Sequence, residues 1–296
     1  MSRVHDLLRM AEEQRRLYSR IGEEEAGEPS VRTQVTSAIP ASSTADSVAS
    51  DAMSLVTATP DPAAVDSVLA RCPSITGMPD TSTMLFLGSE ERARGTEEFR
   101  ALRSQLYQLR EQQPLRRILV TSSLPHEGRS FIAANLAQVM ARQPGCRTLL
   151  IDADLRNPSL HLALGASATP GLSQYLLGEA EELAIIQKGQ MENLFFVPAG
   201  RPVSGQTEIV SNGRLKFLFD LLEPMFEWMV IDSPAATPVS DSGVIANSCD
   251  GVLMVVRSDS TPFDVVRKAL RKFREQQILG VVLNEIPAKN QLPTRY

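Results

Sequence analysis

Three aspartates and one short turn carry the residue types that could do chemistry. Asp152 and Asp154 close the stretch Arg147 to Asp154, R-T-L-L-I-D-A-D, and Asp232 sits in Trp228 to Pro234, W-M-V-I-D-S-P. In both, an apolar run of strand character ends in a carboxylate, where parallel sheets place metal-binding or catalytic acids. The turn lies in Arg117 to Phe131, R-I-L-V-T-S-S-L-P-H-E-G-R-S-F. A strand at Ile118 to Val120, a tight turn and a helix opening at Ser130 make the geometry of a phosphate cradle. In such a cradle, backbone N–H groups and a helix N-terminus face phosphate oxygens, a cation neutralises the outer phosphates and a hydroxyl ligates Mg2+. Against G-x-x-x-x-G-K-[ST], Ser123 stands at the first glycine, Gly128 at the second, Arg129 at the lysine and Ser130 at the hydroxyl. Two of the four positions fit, and an ordinary strand-turn-helix connection would look the same in isolation.

The elements that must position these groups alternate in kind. A helix is expected from Thr96 to Glu111, its apolar stripe formed by Phe99, Leu102, Leu106 and Leu109. Glu97, Arg100 and Arg103 share one side of it, suited either to solvent or to a symmetric subunit contact. Short helices follow the D-A-D stretch at Ser159 to Leu164 and Leu172 to Leu177, then a strand at Leu194 to Val197 and a helix at about Arg214 to Leu222. Strands at Gly251 to Val256 and Ile278 to Leu283 flank a helix from Phe263 to about Gln276, whose R-K-A-L-R-K-F-R has five bases in eight residues. That charge is either a solvated face or a patch for an acidic partner or membrane. Asn284, at the end of the last strand, could read an adenine edge or simply form a turn. Five or six strands alternating with helices imply an α/β domain with a mainly parallel sheet covered on both faces, its ligand at the strand ends.

Composition narrows the classes. The 296 residues are 43% hydrophobic and carry a formal net charge of -5, with a pI near 5.4. This gives no global attraction to nucleic acid or anionic membrane. Cys72, Cys146 and Cys249 have no paired spacing and read as reduced fillers. No run approaches a membrane span or a secretory signal, so a cytoplasmic protein is expected. Residues 1–21 read as a short amphipathic helix, which either docks or frays. Residues 22–80, rich in Ser, Thr, Ala and Pro, read as a disordered linker. The main domain is expected over 81–290, with a short tail at 291–296.

Taken together, the cradle, D-A-D-L-R and I-D-S-P resemble bacterial tyrosine kinases of the polysaccharide-biosynthesis type, which are P-loop NTPases. The resemblance runs from about Thr81 to Pro287 and extends to E-E-F-R-A-L-R, to G-L-S-Q-Y-L-L-G and to G-V-V-L-N. It implies an ATP- and Mg2+-dependent kinase. Ser123, His126, Glu127, Gly128, Arg129, Ser130 and Phe131 would form the phosphate-binding segment, with Asn284 at the base. Asp152 and Asp154, with Arg129, would be catalytic; Ser130 and Asp232 would hold Mg2+. Glu97, Arg100 and Arg103 match the family's E-x-x-R-x-x-R oligomerisation motif and imply a homo-oligomer. The resemblance further implies a membrane chain-length regulator (polysaccharide co-polymerase) as activator, and a place peripheral to the inner membrane through that partner.

The sequence departs from the family in three places. Arg129 replaces the lysine, exchanging a compact ammonium for a broad planar fork. His126 replaces a glycine, which costs roughly 1 to 2 kcal/mol if φ is positive there. The C-terminal tyrosine cluster is absent, with Tyr296 alone in the tail. A catalytically weak or inactive scaffold is therefore the main alternative to an active kinase. The related partition and septum-positioning ATPases (ParA and MinD) carry a lysine directly after the loop's first position, where this chain has Leu124.

Overall fold

The computed structural model describes residues 62–86, 95–237 and 240–285. The expected N-terminal helix, the linker up to residue 61, and the tail with Tyr296 lie outside the described residues. The chain divides into two compact units, Met1–Val68 and Leu69–Tyr296. Pro62–Leu69 form a helix, α1, inside the stretch expected to be a featureless linker. Beyond it, Cys72, Ile75, Met84 and Phe86 are buried, and Ser74 bridges to Lys188. Ordered packing therefore begins before Thr81: the apolar residues are widely spaced but each finds the sheet or a helix. Asn135, itself buried, clamps this segment by accepting the Leu85 N–H and donating to the Thr83 carbonyl, both at 2.8 Å.

The larger unit is built on a seven-stranded sheet in the order β3-β4-β2-β5-β1-β6-β7. The strands are β1 (Arg117–Ser122), β2 (Thr148–Asp152), β3 (Gln187–Lys188), β4 (Leu194–Val197), β5 (Trp228–Asp232), β6 (Gly251–Arg257) and β7 (Ile278–Asn284). All pairs are parallel except the short β3 on β4. β1, β2, β4 and β5 are buried along their whole length, as expected of strands covered on both faces.

The first crossover helix, α3 (Arg129–Ala141), follows α2 (Thr96–Gln112) and leads from β1 past β5 to β2. After α4 (Leu160–Leu164) and α5 (Leu172–Leu176), the helices α6 (Gln206–Ser211), α7 (Arg214–Leu222), α8 (Asp241–Ala246) and α9 (Phe263–Leu270) serve crossovers running the other way along the sheet. Because parallel crossovers are right-handed, opposite directions put α3 and the later helices on opposite faces. α3 is buried all round, so its sequence lacks an amphipathic stripe. α9 ends at Leu270, short of the expected Gln276, because Phe273 turns in to be buried and the chain must then reach β7. Cys72, Cys146 and Cys249 are free and buried. No helix among the described residues is long and apolar enough to cross a membrane.

Candidate functional site

Parallel pairing brings the three aspartates to one end of the sheet. Asp152 and Asp232 are direct partners on the neighbouring strands β2 and β5, and Val120 of β1 is paired with Asp232 on its other side. Adjacent strands lie about 4.8 Å apart, so two carboxylates share one rung. Asp154 follows two residues beyond Asp152, and all three side chains are at most 2% exposed.

Each acid is held differently. Asp152 Oδ1 accepts the Asp154 N–H at 3.2 Å, and its Oδ2 accepts the N–H groups of Ser159 and Leu160 at 3.3 and 3.2 Å. Asp154 accepts N–H groups from Arg156 and Asn157 and forms an ion pair with the Arg129 guanidinium. Neither oxygen of Asp232 has a hydrogen-bond partner; the nearest cation is Arg129 Nε, 3.8 Å from Oδ1. Burial pushes the Asp152 carboxyl well above the usual range, with Asp232 and Asp154 adding to the rise against the N–H groups that favour its charged form. Burial likewise pushes Asp232 up to about 7, opposed by Arg129 and the Ser130 hydroxyl and reinforced by Asp154.

The cradle between β1 and α3 is closely fixed. Gly128 has φ 87°, where any other residue is strained, and a Cβ there would come within 2.1 Å of Asn284 Nδ2 and displace that side chain from the loop. His126 has φ 64°, the left-handed conformation in which its substitution for glycine is strained. Arg129 opens α3 but turns back toward the acids: besides Asp154, its Nε donates to the Ser233 carbonyl at 2.7 Å. Glu127 is 2% exposed. Its Oε2 accepts the Leu124 N–H at 2.8 Å and its Oε1 accepts the Thr261 hydroxyl.

The predicted site residues thus fall into groups. Asp152, Asp154, Asp232, Arg129 and the cradle around Gly128 and Ser130 converge. The Ser123 side chain is buried, with its hydroxyl toward Met254 Sδ at 3.7 Å, leaving only main chain for the cradle. Phe131 packs edge-on against Phe99, centroids 6.0 Å apart, as part of the core. Asn284 donates to the Glu127 carbonyl at 3.0 Å, committing its NH2 to the loop. On α2, Glu97 pairs with Arg100 on the outer face, whereas Arg103 donates to the Val139 carbonyl at 3.0 Å and so ties α2 to α3.

Sequence reading missed the Asp241 cluster. Buried Asp241 accepts Arg156 Nε at 2.7 Å and the Thr207 hydroxyl, and these bonds hold its carboxyl below the usual range despite its burial. It fixes the residue just past D-A-D-L, yet its partner Arg156 is distant in sequence and no local signal joins them.

A buried pair of under-bonded oxygens beside a hydroxyl suits a small hard cation, and Asp232 with Ser130 fits Mg2+. Among the described residues no group of three or more His, Cys, Asp or Glu could hold a metal alone.

Comparison with known proteins places this arrangement. The sequence is 31% identical over 199 residues to tyrosine-protein kinase CpsD of Streptococcus agalactiae, spanning 66% of this chain and 84% of that one. It is 36% identical over 173 residues to the succinoglycan biosynthesis transport protein ExoP of Rhizobium meliloti, 57% of this chain but only 22% of that relative. The kinase domain of Escherichia coli tyrosine kinase ETK superposes with a TM-score of 0.65 at 26% identity, covering 71% of this chain and 84% of that domain. No protein-family model matches the chain. The likeness to CpsD, on a fold shared with ETK, shows that the chain belongs to the bacterial tyrosine kinase family of P-loop NTPases.

Proposed function

We propose that the protein binds Mg-ATP at the carboxyl end of β1, β2 and β5 and transfers the γ-phosphate to a tyrosine hydroxyl. The observation that carries this is the meeting of Asp152, Asp154 and Asp232 at one sheet end, beside Arg129. The N–H groups of the cradle and the N-terminus of α3 would bind the phosphates. Ser130 and Asp232 would hold Mg2+, which when bound neutralises charge building on the phosphoryl oxygens. Asp152, oriented by three N–H groups and raised in pKa, would take the proton of the attacking hydroxyl at a carboxylate oxygen. Arg129 would exchange Asp154 for phosphate, and its planar fork would grip two oxygens at once.

The purified chain incubated with Mg-ATP should acquire phosphotyrosine detectable by mass spectrometry. Asp152→Ala should abolish it and Arg129→Lys should increase it. If neither variant changes phosphotyrosine formation or ATP affinity, the catalytic assignment is wrong.

One observation favours a second reading, a nucleotide-dependent scaffold with little or no transfer: Arg129 is already engaged by Asp154 and Ser233. In that case ATP binds but no phosphotyrosine forms, even in the Arg129→Lys variant.

The name of ExoP, a succinoglycan biosynthesis transport protein, supports a role in exopolysaccharide or capsule biosynthesis and export; the protein would act in the cytoplasm, against the inner membrane through a membrane co-polymerase partner. Recovery of no such protein in a pull-down from membranes would count against it. Glu97 and Arg100, on the outer face of α2, would meet a second copy in a homo-oligomer, with Arg103 bracing α2 from within.

A further inference from the structure

Glu127 sets a puzzle that phosphate binding alone does not solve. A carboxylate inside a phosphate cradle repels the ligand unless its charge is turned away and occupied. Both its oxygens are occupied, and their partners lie on two segments far apart in sequence. Oε2 holds Leu124 N–H within the loop, whereas Oε1 takes the Thr261 hydroxyl and approaches the Arg257 N–H at 3.5 Å. The Glu127 carbonyl accepts Asn284 Nδ2, and the Asn284 carbonyl in turn accepts the Ser258 N–H at 2.9 Å. The loop, the Arg257–Thr261 turn after β6 and the end of β7 therefore form one closed hydrogen-bonded ring.

We infer that Glu127 is a positioning residue that locks the phosphate loop to the Arg257–Thr261 turn and to Asn284, so that the phosphate and base walls of the site bind as one unit. This rests on the nucleotide-binding reading above. Glu127 acts through neighbours and touches no reacting atom. The Arg257–Thr261 turn and the end of β7 would be the wall that meets the base, and gripping the triphosphate would preset it, giving cooperativity within a single ligand.

The test compares Mg-ATP with Mg-tripolyphosphate, which has the phosphates without the base, by calorimetry on the full chain. Thr261→Val cuts the tie to the turn but leaves Glu127 on Leu124. It should weaken Mg-ATP by about tenfold while leaving Mg-tripolyphosphate within about twofold of wild type. Glu127→Ala loses both bonds and should weaken both ligands by about tenfold or more. Glu127→Gln keeps an acceptor for Leu124 and offers an NH2 to the Thr261 oxygen, so it should restore most of the affinity. A Thr261→Val protein that binds both ligands like wild type, or loses both equally, overturns the inference, as does Glu127→Gln behaving like Glu127→Ala. These results leave the nucleotide reading intact if wild type binds Mg-ATP. Wild type that binds neither ligand sinks that reading, and the inference with it.

Discussion

Two aspartates at opposite ends of the same sheet show how differently one fold treats a carboxylate. Asp250, just before β6 at the amino end, accepts the N–H groups of Arg116 and Arg117, each at 2.8 Å. Nearby, the Arg117 guanidinium pairs with Asp220 at 2.8 Å and with Glu223. Asp232, at the carboxyl end of β5, is as deeply buried as the strands around it, yet neither oxygen makes a close hydrogen bond and its cation, Arg129 Nε, stands 3.8 Å away. Buried polar atoms in folded proteins are nearly always bonded. The acids of the amino end are therefore part of the scaffold, whereas Asp232 has acceptor capacity to spare, which the proposed Mg2+ would use.

The sharpest way to break this contrast is to remove each acid in turn. Asp232→Asn should cut phosphotransfer by roughly 100-fold or more. At pH 8 it should also raise the stability of the metal-free protein, since it removes a buried carboxylate that makes no close hydrogen bond while Arg129 keeps its nearer partner Asp154. Asp250→Ala should do the reverse, costing about 1 to 3 kcal/mol because two main-chain donors lose their acceptor, with little change in ATP affinity. Denaturant melts and a phosphotyrosine assay on both variants decide the matter. If Asp232→Asn destabilises as Asp250→Ala does, Asp232 is scaffold after all.

The same contrast has a pH signature. Asp232 titrates near 7 when folded against an ordinary value of 3.8, and Asp152 is raised in the same direction. Between those values the folded protein binds more protons than the unfolded chain, so stability falls as pH rises. The metal-free protein should thus be most stable at the acidic end of that window and lose stability as pH climbs to about 7. Mg-ATP needs the ionised acids, so the rise in Tm that it produces should be larger at pH 8 than at pH 6. An equal rise at both pH values would mean that Asp232 does not meet the ion.

Arg129→Lys probes the carboxyl end from its cation. A lysine cannot both bond to Ser233 O through a side-chain Nε and fork onto Asp154, so it should leave the acids more readily. Turnover should rise severalfold, with an unchanged melting temperature to within a few degrees. Unchanged turnover would leave Asp154 and the loop itself as the sources of any weakness.

Much of this asymmetry was legible in the chain. β1, β2, β4 and β5 each carry an unbroken apolar run, Ile118–Val120, Leu149–Ile151, Leu194–Val197 and Trp228–Ile231, as a strand buried on both faces requires. The convergence of Asp152 and Asp232 followed because parallel strands end together. What escaped was carried by contacts remote in sequence or by very short elements. Glu127 looked like one more cradle residue, since nothing near it announces Thr261. Ser123 and Phe131 fit the motif, but motif position does not say which way a side chain turns. β3 has two residues, and α8 is a single short helix with Gly243 inside it, too brief for a periodic pattern. α1 lay in a stretch whose Ser and Ala content hid its order.

His126 is the smallest term and the one the sequence foresaw most directly. Glycine is the family's residue at this position, and the backbone adopts φ 64° there, where an L side chain crowds the following carbonyl. The cost is confined to the loop, and His126 is exposed. His126→Gly should relieve that strain while loosening the unfolded chain, two opposed effects of about 1 kcal/mol each. The net change in stability should therefore be under about 1 kcal/mol, whereas ATP affinity should improve modestly because the cradle's N–H groups can settle onto phosphate without straining a side chain. If His126→Gly instead weakens ATP binding, the imidazole is itself a ligand contact, and the carboxyl end holds one more working group than its buried acids and Arg129.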